Sequence, residues 1–177
     1  MLTFAGAVRV IDNLLQPKLP HDTLDFHTPV QFDPALMPRL AAAHEALNAR
    51  FATLLCQIDE LASGTGEIAR ECLKQFQELR RAESIWLYPV IAHGIGDDDA
   101  ARARLTELRL VTLALARRTV RCFDVLIKAI DTGAPAREAA DELSRALAAY
   151  LRRGETEIYP LYGLMSLPAA GRNAYAA

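Results

Sequence analysis

The sequence is short of the features that define several protein classes. It has three cysteines, one tryptophan and four histidines in 177 residues, and no run approaches the roughly 18–20 uncharged apolar residues of a membrane span. Cys56, Cys72 and Cys122 are odd in number and far apart, which favours reduced thiols over a disulfide framework or a zinc knuckle. The apolar start MLTFAGAVRVIDNLL contains Arg9 and Asp12, so we expect no signal peptide. The sequence therefore predicts a cytoplasmic protein.

Charge and motifs exclude further classes. The formal charge of −2 provides no positive field for nucleic acid or acidic lipid. The stretch GTGE lacks the lysine of a phosphate-binding loop, and GIGDDD would present anions to an anion. Helical periodicity brings together no nucleophile, histidine and acid. We therefore expect no enzyme, no nucleic-acid partner and no membrane partner.

Strong helical periodicity is what the sequence does have. Asp33 followed by Pro34 predicts a helix start, the three aspartates of 97–99 predict a second start, and Pro89 and Pro160 predict helix ends. Apolar residues at alternating steps of three and four then predict helices near 34–62, 67–88, 99–131 and 135–159, with Trp86 on the interior stripe of the second. Short loops between long helices make neighbours antiparallel. The predicted fold is all-α, an up-down-up-down four-helix bundle over 36–162, with an N-terminal extension (1–35, a short helix and a Pro-rich loop) and a C-terminal tail (163–177).

An internal repeat links the two halves of the predicted bundle. The second and fourth helices end almost alike, as LRRAESIWLYP (79–89) and LRRGETEIYP (151–160). An offset of 72 aligns Leu79 with Leu151, and it also aligns Phe51 with Phe123. Aligning the two Tyr-Pro pairs instead shifts the fourth helix by one residue. Both registers remain open, and either one predicts a pseudo-twofold bundle.

Three polar residues occupy positions where the periodicity calls for a hydrophobe: His44, Glu83 and Glu155. Each belongs to a different predicted helix and faces the predicted interior. A lone buried carboxylate is costly. We therefore expect each glutamate to be paired with an arginine, bound to a metal or protonated.

These stripes and the repeated endings resemble the hemerythrin-like (HHE cation-binding) family. The matching text is AAHEALNARFATLL, LRRAESIWLYP and LRRGETEIYP, which spans about 36–162. The resemblance implies a bundle of two helix hairpins around a non-haem di-iron centre held by five histidines and two carboxylates. His44 stands at the first-helix histidine position, and Glu83 and Glu155 stand at carboxylate positions.

The other four histidine positions of the family carry no imidazole in this chain. They hold Leu79, Thr112, Ala116 and Leu151, or Tyr150 in place of Leu151 in the alternative register. The remaining donors are too few for two irons. The resemblance thus implies a degenerate metal site in a non-enzymatic binding or regulatory module. Its partner would be another copy in a homodimer, another protein or a small ligand.

Two interpretations of the polar trio follow. The first expects no cofactor, with apolar packing and ion pairs in place of the metal. The alternative is a single iron or other divalent metal on His44, Glu83 and Glu155, used for oxygen or redox sensing. A second cluster in the N-terminal loop, His21, Asp22, Asp25 and His27, has cation-ligand chemistry but is more typical of solvated turns.

Overall fold

The computed structural model describes residues 31–60 and 63–166, and every regular element within these ranges is a helix. The helices form four long segments. They are α1 (Leu36–Glu60); α2 (Thr65–Ala82), π1 (Glu83–Leu87) and α3 (Tyr88–Ile95); α4 (Asp99–Asp131); and α5 (Arg137–Arg153), π2 (Gly154–Ile158) and α6 (Tyr159–Leu164). Within the described ranges, no helix combines the length and the apolar character that crossing a bilayer requires.

Side-chain caps begin the helices where the sequence predicts them. The Asp33 carboxylate accepts a hydrogen bond from the Ala35 amide at 2.8 Å, at the start of α1. The Asp98 carboxylate accepts from the Ala101 amide at 2.9 Å, at the start of α4. Each cap satisfies an amide that has no partner within its own helix. The predicted starts of the first and third helices are confirmed.

The long helices contact one another through their apolar stripes. α1 packs on α2, and α4 packs on α5; α2 also contacts α4, and α1 contacts α5. Phe76 from α2 lies at the centre, with its ring 6.1 Å from Phe123 and 4.9 Å from Tyr150. Burial of these aromatic and aliphatic side chains supplies the main stabilisation, roughly 25 cal/mol for each Å² removed from water.

Both predicted ends of the second and fourth helices are wrong. The backbone continues through Pro89 to Ile95 and through Pro160 to Leu164. In each case a five-residue π-helix comes directly before the Tyr-Pro pair, and the proline falls in the first turn of the next helix. A proline is tolerated there because it has no N–H to donate and the first turn needs none. The prolines therefore mark a change of helix type.

Burial settles the register of the internal repeat. Buried positions of α1 recur in α4 at an offset of 72, as Phe51 and Phe123 illustrate. Buried positions of α2 recur in α5 at an offset of 71, and the two π-helices begin at residues 83 and 154, also 154 − 83 = 71 apart. The α2–α5 pairs are Ala69 with Ala140, Cys72 with Leu143, Phe76 with Leu147 and Leu79 with Tyr150. The Tyr-Pro alignment is correct for the fourth helix, so Glu83 corresponds to Gly154 and not to Glu155.

The π-helices also move two residues that we had placed on interior stripes. Trp86 is 61% exposed, and the side chain of Glu155 is 58% exposed. A π-helix has a wider turn than an α-helix, so the α-helical spacing no longer gives the direction of the next side chain. Leu87 and Gly154 are the buried residues instead.

Parts of the predicted organisation lie outside the described residues. These are residues 1–30 of the N-terminal extension, including His21, Asp22, Asp25 and His27, and residues 167–177 of the tail. Residues 31–35 lead into α1, where the Asp33 amide and carbonyl both bond the Tyr162 hydroxyl at 2.9 Å. This pair of bonds attaches the start of α1 to α6.

Candidate functional site

Glu83 is the buried carboxylate at the centre of the candidate site. It is the first residue of π1 and is 3% exposed. Its Oε1 accepts a hydrogen bond from the Tyr159 hydroxyl at 2.6 Å, and its Oε2 accepts one from the Tyr150 hydroxyl. Among the described residues, no arginine forms an ion pair with Glu83. The expected arginine partner is thus replaced by two phenols, which satisfy one carboxylate oxygen each.

Tyr159 connects this carboxylate to the histidine. Its hydroxyl oxygen lies 2.7 Å from His44 Nε2, and the two rings are 5.5 Å apart. Because the phenol donates its hydrogen to Glu83, its oxygen is free to accept the N–H of His44 Nε2. The hydroxyl therefore stands between the imidazole and the carboxylate that the sequence had proposed as ligands of one metal.

His44 reaches the surface through its other nitrogen. The side chain is buried in α1, and its Nδ1 lies 3.2 Å from Oε1 of the exposed Glu155. A carboxylate accepts hydrogen bonds and donates none, so a protonated imidazole would satisfy Glu155 and Tyr159 at the same time. The polar groups form one chain, from Glu155 through His44, Tyr159 and Glu83 to Tyr150.

Burial sets the acid–base character of this chain. It raises the pKa of Glu83, although the hydrogen bonds from the two tyrosines and the charge of His44 offset part of the effect. Burial and the nearby Glu83 carboxylate raise the pKa values of Tyr150 and Tyr159 as well. Both tyrosines are therefore neutral phenols that donate hydrogen bonds.

Gly154 makes room for Tyr159. A Cβ atom added at Gly154 would lie 3.2 Å from Cζ and 3.3 Å from the hydroxyl oxygen of Tyr159. Any larger residue would push the ring away from His44 and Glu83, because these distances are shorter than ordinary contacts. Gly154 occupies the repeat position of Glu83, so the fourth helical segment leaves space for the Tyr159 ring at the position where the second places a carboxylate.

The remaining positions of the family's histidines are buried without any imidazole. Leu79, Ala116, Tyr150 and Leu151 lie in the core, and the Thr112 hydroxyl donates to the Leu108 carbonyl at 2.8 Å. In residues 31–60 and 63–166, no three His, Cys, Asp or Glu side chains come together as a metal would require. Of the predicted trio, the structure brings His44 directly to Glu155, and to Glu83 only through Tyr159. A metal on the trio stays a prediction.

Sequence reasoning missed Tyr159 and Gly154 as members of the site, and it missed the hydrogen bond that Tyr150 donates to Glu83. Tyr150 was named only as the alternative to Leu151, and the Tyr-Pro alignment that favours it was the signal available. Tyr159 was part of that signal, but nothing in the periodicity predicted that its hydroxyl would turn inward. Gly154 could have been recognised as a glycine at a position whose repeat partner is large.

Comparison with known proteins gives no match of any kind: no family model, no curated protein and no solved structure is similar to this chain.

Proposed function

We propose that this chain is an up-down-up-down four-helix bundle of the hemerythrin-like type that acts as a non-enzymatic binding or regulatory module. The pairwise contacts of the four helical segments support the bundle, and the short connections after α1 and α4 favour antiparallel neighbours. The module would bind another protein, a second copy of itself or a small ligand.

The observation that carries the proposal is the position of the Tyr159 hydroxyl, within hydrogen-bond distance of both His44 and Glu83. A di-iron centre would need these two side chains as free ligands, together with imidazoles at positions that hold Leu79, Thr112 and Ala116. The donors present do not fit two irons. A hydrogen-bonded network takes the place of coordination and keeps the buried polar groups satisfied.

Metal content and metal-dependent stability test the proposal. We expect freshly purified protein to contain less than stoichiometric iron, manganese or zinc. Its unfolding midpoint should be the same with and without a chelator, because a ligand that binds the native state raises stability by mass action. Stoichiometric metal in the wild-type protein that the chelator removes with a loss of stability would overturn the proposal.

The alternative is a sensor with a single metal on His44, Glu83 and Glu155. The approach of His44 Nδ1 to Glu155 Oε1 at 3.2 Å favours it, since this nitrogen and oxygen could hold one cation between them. This alternative predicts metal in the preparation that is lost in the His44→Ala variant and retained in a His93→Ala control, because His93 is exposed in α3. Equal metal content in both variants would exclude it.

A further inference from the structure

A groove of about 900 Å³ lies between α1 and the segment formed by α2 and π1, away from the polar chain of the core. We call it the Trp86 groove. Its apolar walls come from Leu36 and Leu40 of α1 and from Leu79, Ala82 and Trp86 of the facing segment. Trp86 is the single tryptophan of the sequence and is 61% exposed. A large aromatic side chain held in the open at a concave surface is typical of a ligand contact.

Two hydrogen-bond acceptors that line the Trp86 groove have no partner among the described residues. The buried Oε1 of Gln75 has no hydrogen-bond partner among the described residues. The exposed carboxylate of Glu78 forms no ion pair with any residue that the structure describes. Arg39 is the cation at this groove, and its charge is offset by its ion pair with Asp33. Among the described residues that line the groove, the three charged side chains Asp33, Arg39 and Glu78 sum to −1 + 1 − 1 = −1.

We infer that the Trp86 groove binds an amphiphilic amine, a small molecule with an apolar body and a primary ammonium group. An ammonium carries three hydrogen-bond donors and no acceptor, which matches the Gln75 oxygen and the Glu78 carboxylate. An indole face attracts a cation, and the apolar walls remove the ligand body from water. An anionic ligand would meet a described lining whose net charge is negative and whose arginine is paired with Asp33.

This inference names a ligand class for the proposed binding module. It depends on the lining of the groove and not on the loss of the metal site. The two can therefore fail separately: metal analysis tests the core, and a ligand titration tests the groove.

Trp86 fluorescence provides the assay, because it is the chain's only indole and it lines the groove. Full-length protein is titrated with phenylbutylamine, which is an ammonium at neutral pH, and with phenylbutanol, its uncharged counterpart. We expect a saturable change with both probes and tighter binding of the amine. The preference should be about twofold to fivefold, the range expected for an exposed ion pair.

Two charge-neutralising variants make the test specific. Glu78→Gln should abolish the preference for the amine and leave the affinity for the alcohol unchanged. Glu107→Gln, at an exposed position of α4 outside the groove, should retain the preference. The inference is overturned if wild-type protein gives no saturable change, if it binds both probes equally, or if Glu78→Gln keeps the preference.

Discussion

Removing one oxygen atom, in the variant Tyr159→Phe, should destabilise the protein by about 2–4 kcal/mol. The Tyr159 hydroxyl donates to Glu83 at 2.6 Å and lies 2.7 Å from His44 Nε2. Its loss leaves a buried carboxylate oxygen and a buried imidazole nitrogen without their partner. A hydrogen bond to a charged group contributes about 1.5–3 kcal/mol, and an orphaned buried group costs about 1–3 kcal/mol. Two orphaned groups cost about 2–6 kcal/mol together, and we take the lower half of that range, because a water molecule or a small shift could compensate part of the loss.

Tyr88→Phe is the matched control. Tyr88 is the repeat counterpart of Tyr159, with 159 − 88 = 71, and each comes directly after a π-helix and before a proline. The Tyr88 side chain is buried, and its hydroxyl lies near Thr112 but makes no hydrogen bond of normal geometry to any described residue. The same substitution at this position should change stability by less than about 1 kcal/mol, because no hydrogen bond is lost.

Urea unfolding followed by far-UV circular dichroism measures both variants against wild type at neutral pH. A loss of 2–4 kcal/mol would lower the thermal midpoint by roughly 4–16 °C in a chain of this size. If Tyr159→Phe costs no more than Tyr88→Phe, the hydroxyl is not satisfying His44 and Glu83, and our account of the core is refuted.

Three further predictions follow from the glycines, the buried acid and the cysteines. Gly154→Ala should destabilise the protein by about 1–3 kcal/mol through overpacking. Gly163→Ala is the control: nothing lies within 4 Å of an added Cβ, and this variant should stabilise the protein by about 0.4–1 kcal/mol. Equal effects of the two variants in urea unfolding would contradict the contact at Gly154. Burial raises the pKa of Glu83, so the stability that this group gives the wild-type protein falls as the pH rises through the folded pKa. The difference in unfolding free energy between wild type and Glu83→Gln should therefore shrink over that pH rise. A difference that widens would contradict this prediction. Burial raises the pKa of the Cys72 thiol to about 11, so iodoacetamide and peptide mapping should show Cys56, which is exposed, alkylated well before Cys72 in folded protein; equal rates would contradict the burial.

The parts of the fold that sequence predicts well are those where an α-helical period runs without interruption. In α1, residues spaced by three and four are buried as expected, from Leu40 to Leu54, and in α4 the predicted positions Thr112, Thr119 and Leu126 are buried. The aspartate caps at residues 33 and 98 follow from local chemistry alone, because a side-chain oxygen two or three residues before an amide needs no tertiary information. The helical period also predicted that His44 and Glu83 would be buried, and both are.

The errors begin at the π-helices. Periodicity assumes 3.6 residues per turn, and a wider turn changes the direction in which the side chains of that turn point. Trp86 and Glu155 lie within π1 and π2, and both were predicted to face the interior but are exposed. A Tyr-Pro pair does not by itself predict a π-helix. The choice between stopping at the proline and continuing past it depends on the packing of the whole segment.

The asymmetry of the core follows from one repeat position. In the second helical segment this position is Glu83, which points inward and needs hydrogen-bond donors. In the fourth it is Gly154, which has no side chain and leaves space that the Tyr159 ring fills. The requirement created by one half of the repeat is thus met by the other half. Because a buried carboxylate without donors is costly, Tyr159 links Glu83 and Gly154 energetically. The sequence pattern gives no sign of this link. The cost of a change at either position should therefore depend on the residue at the other.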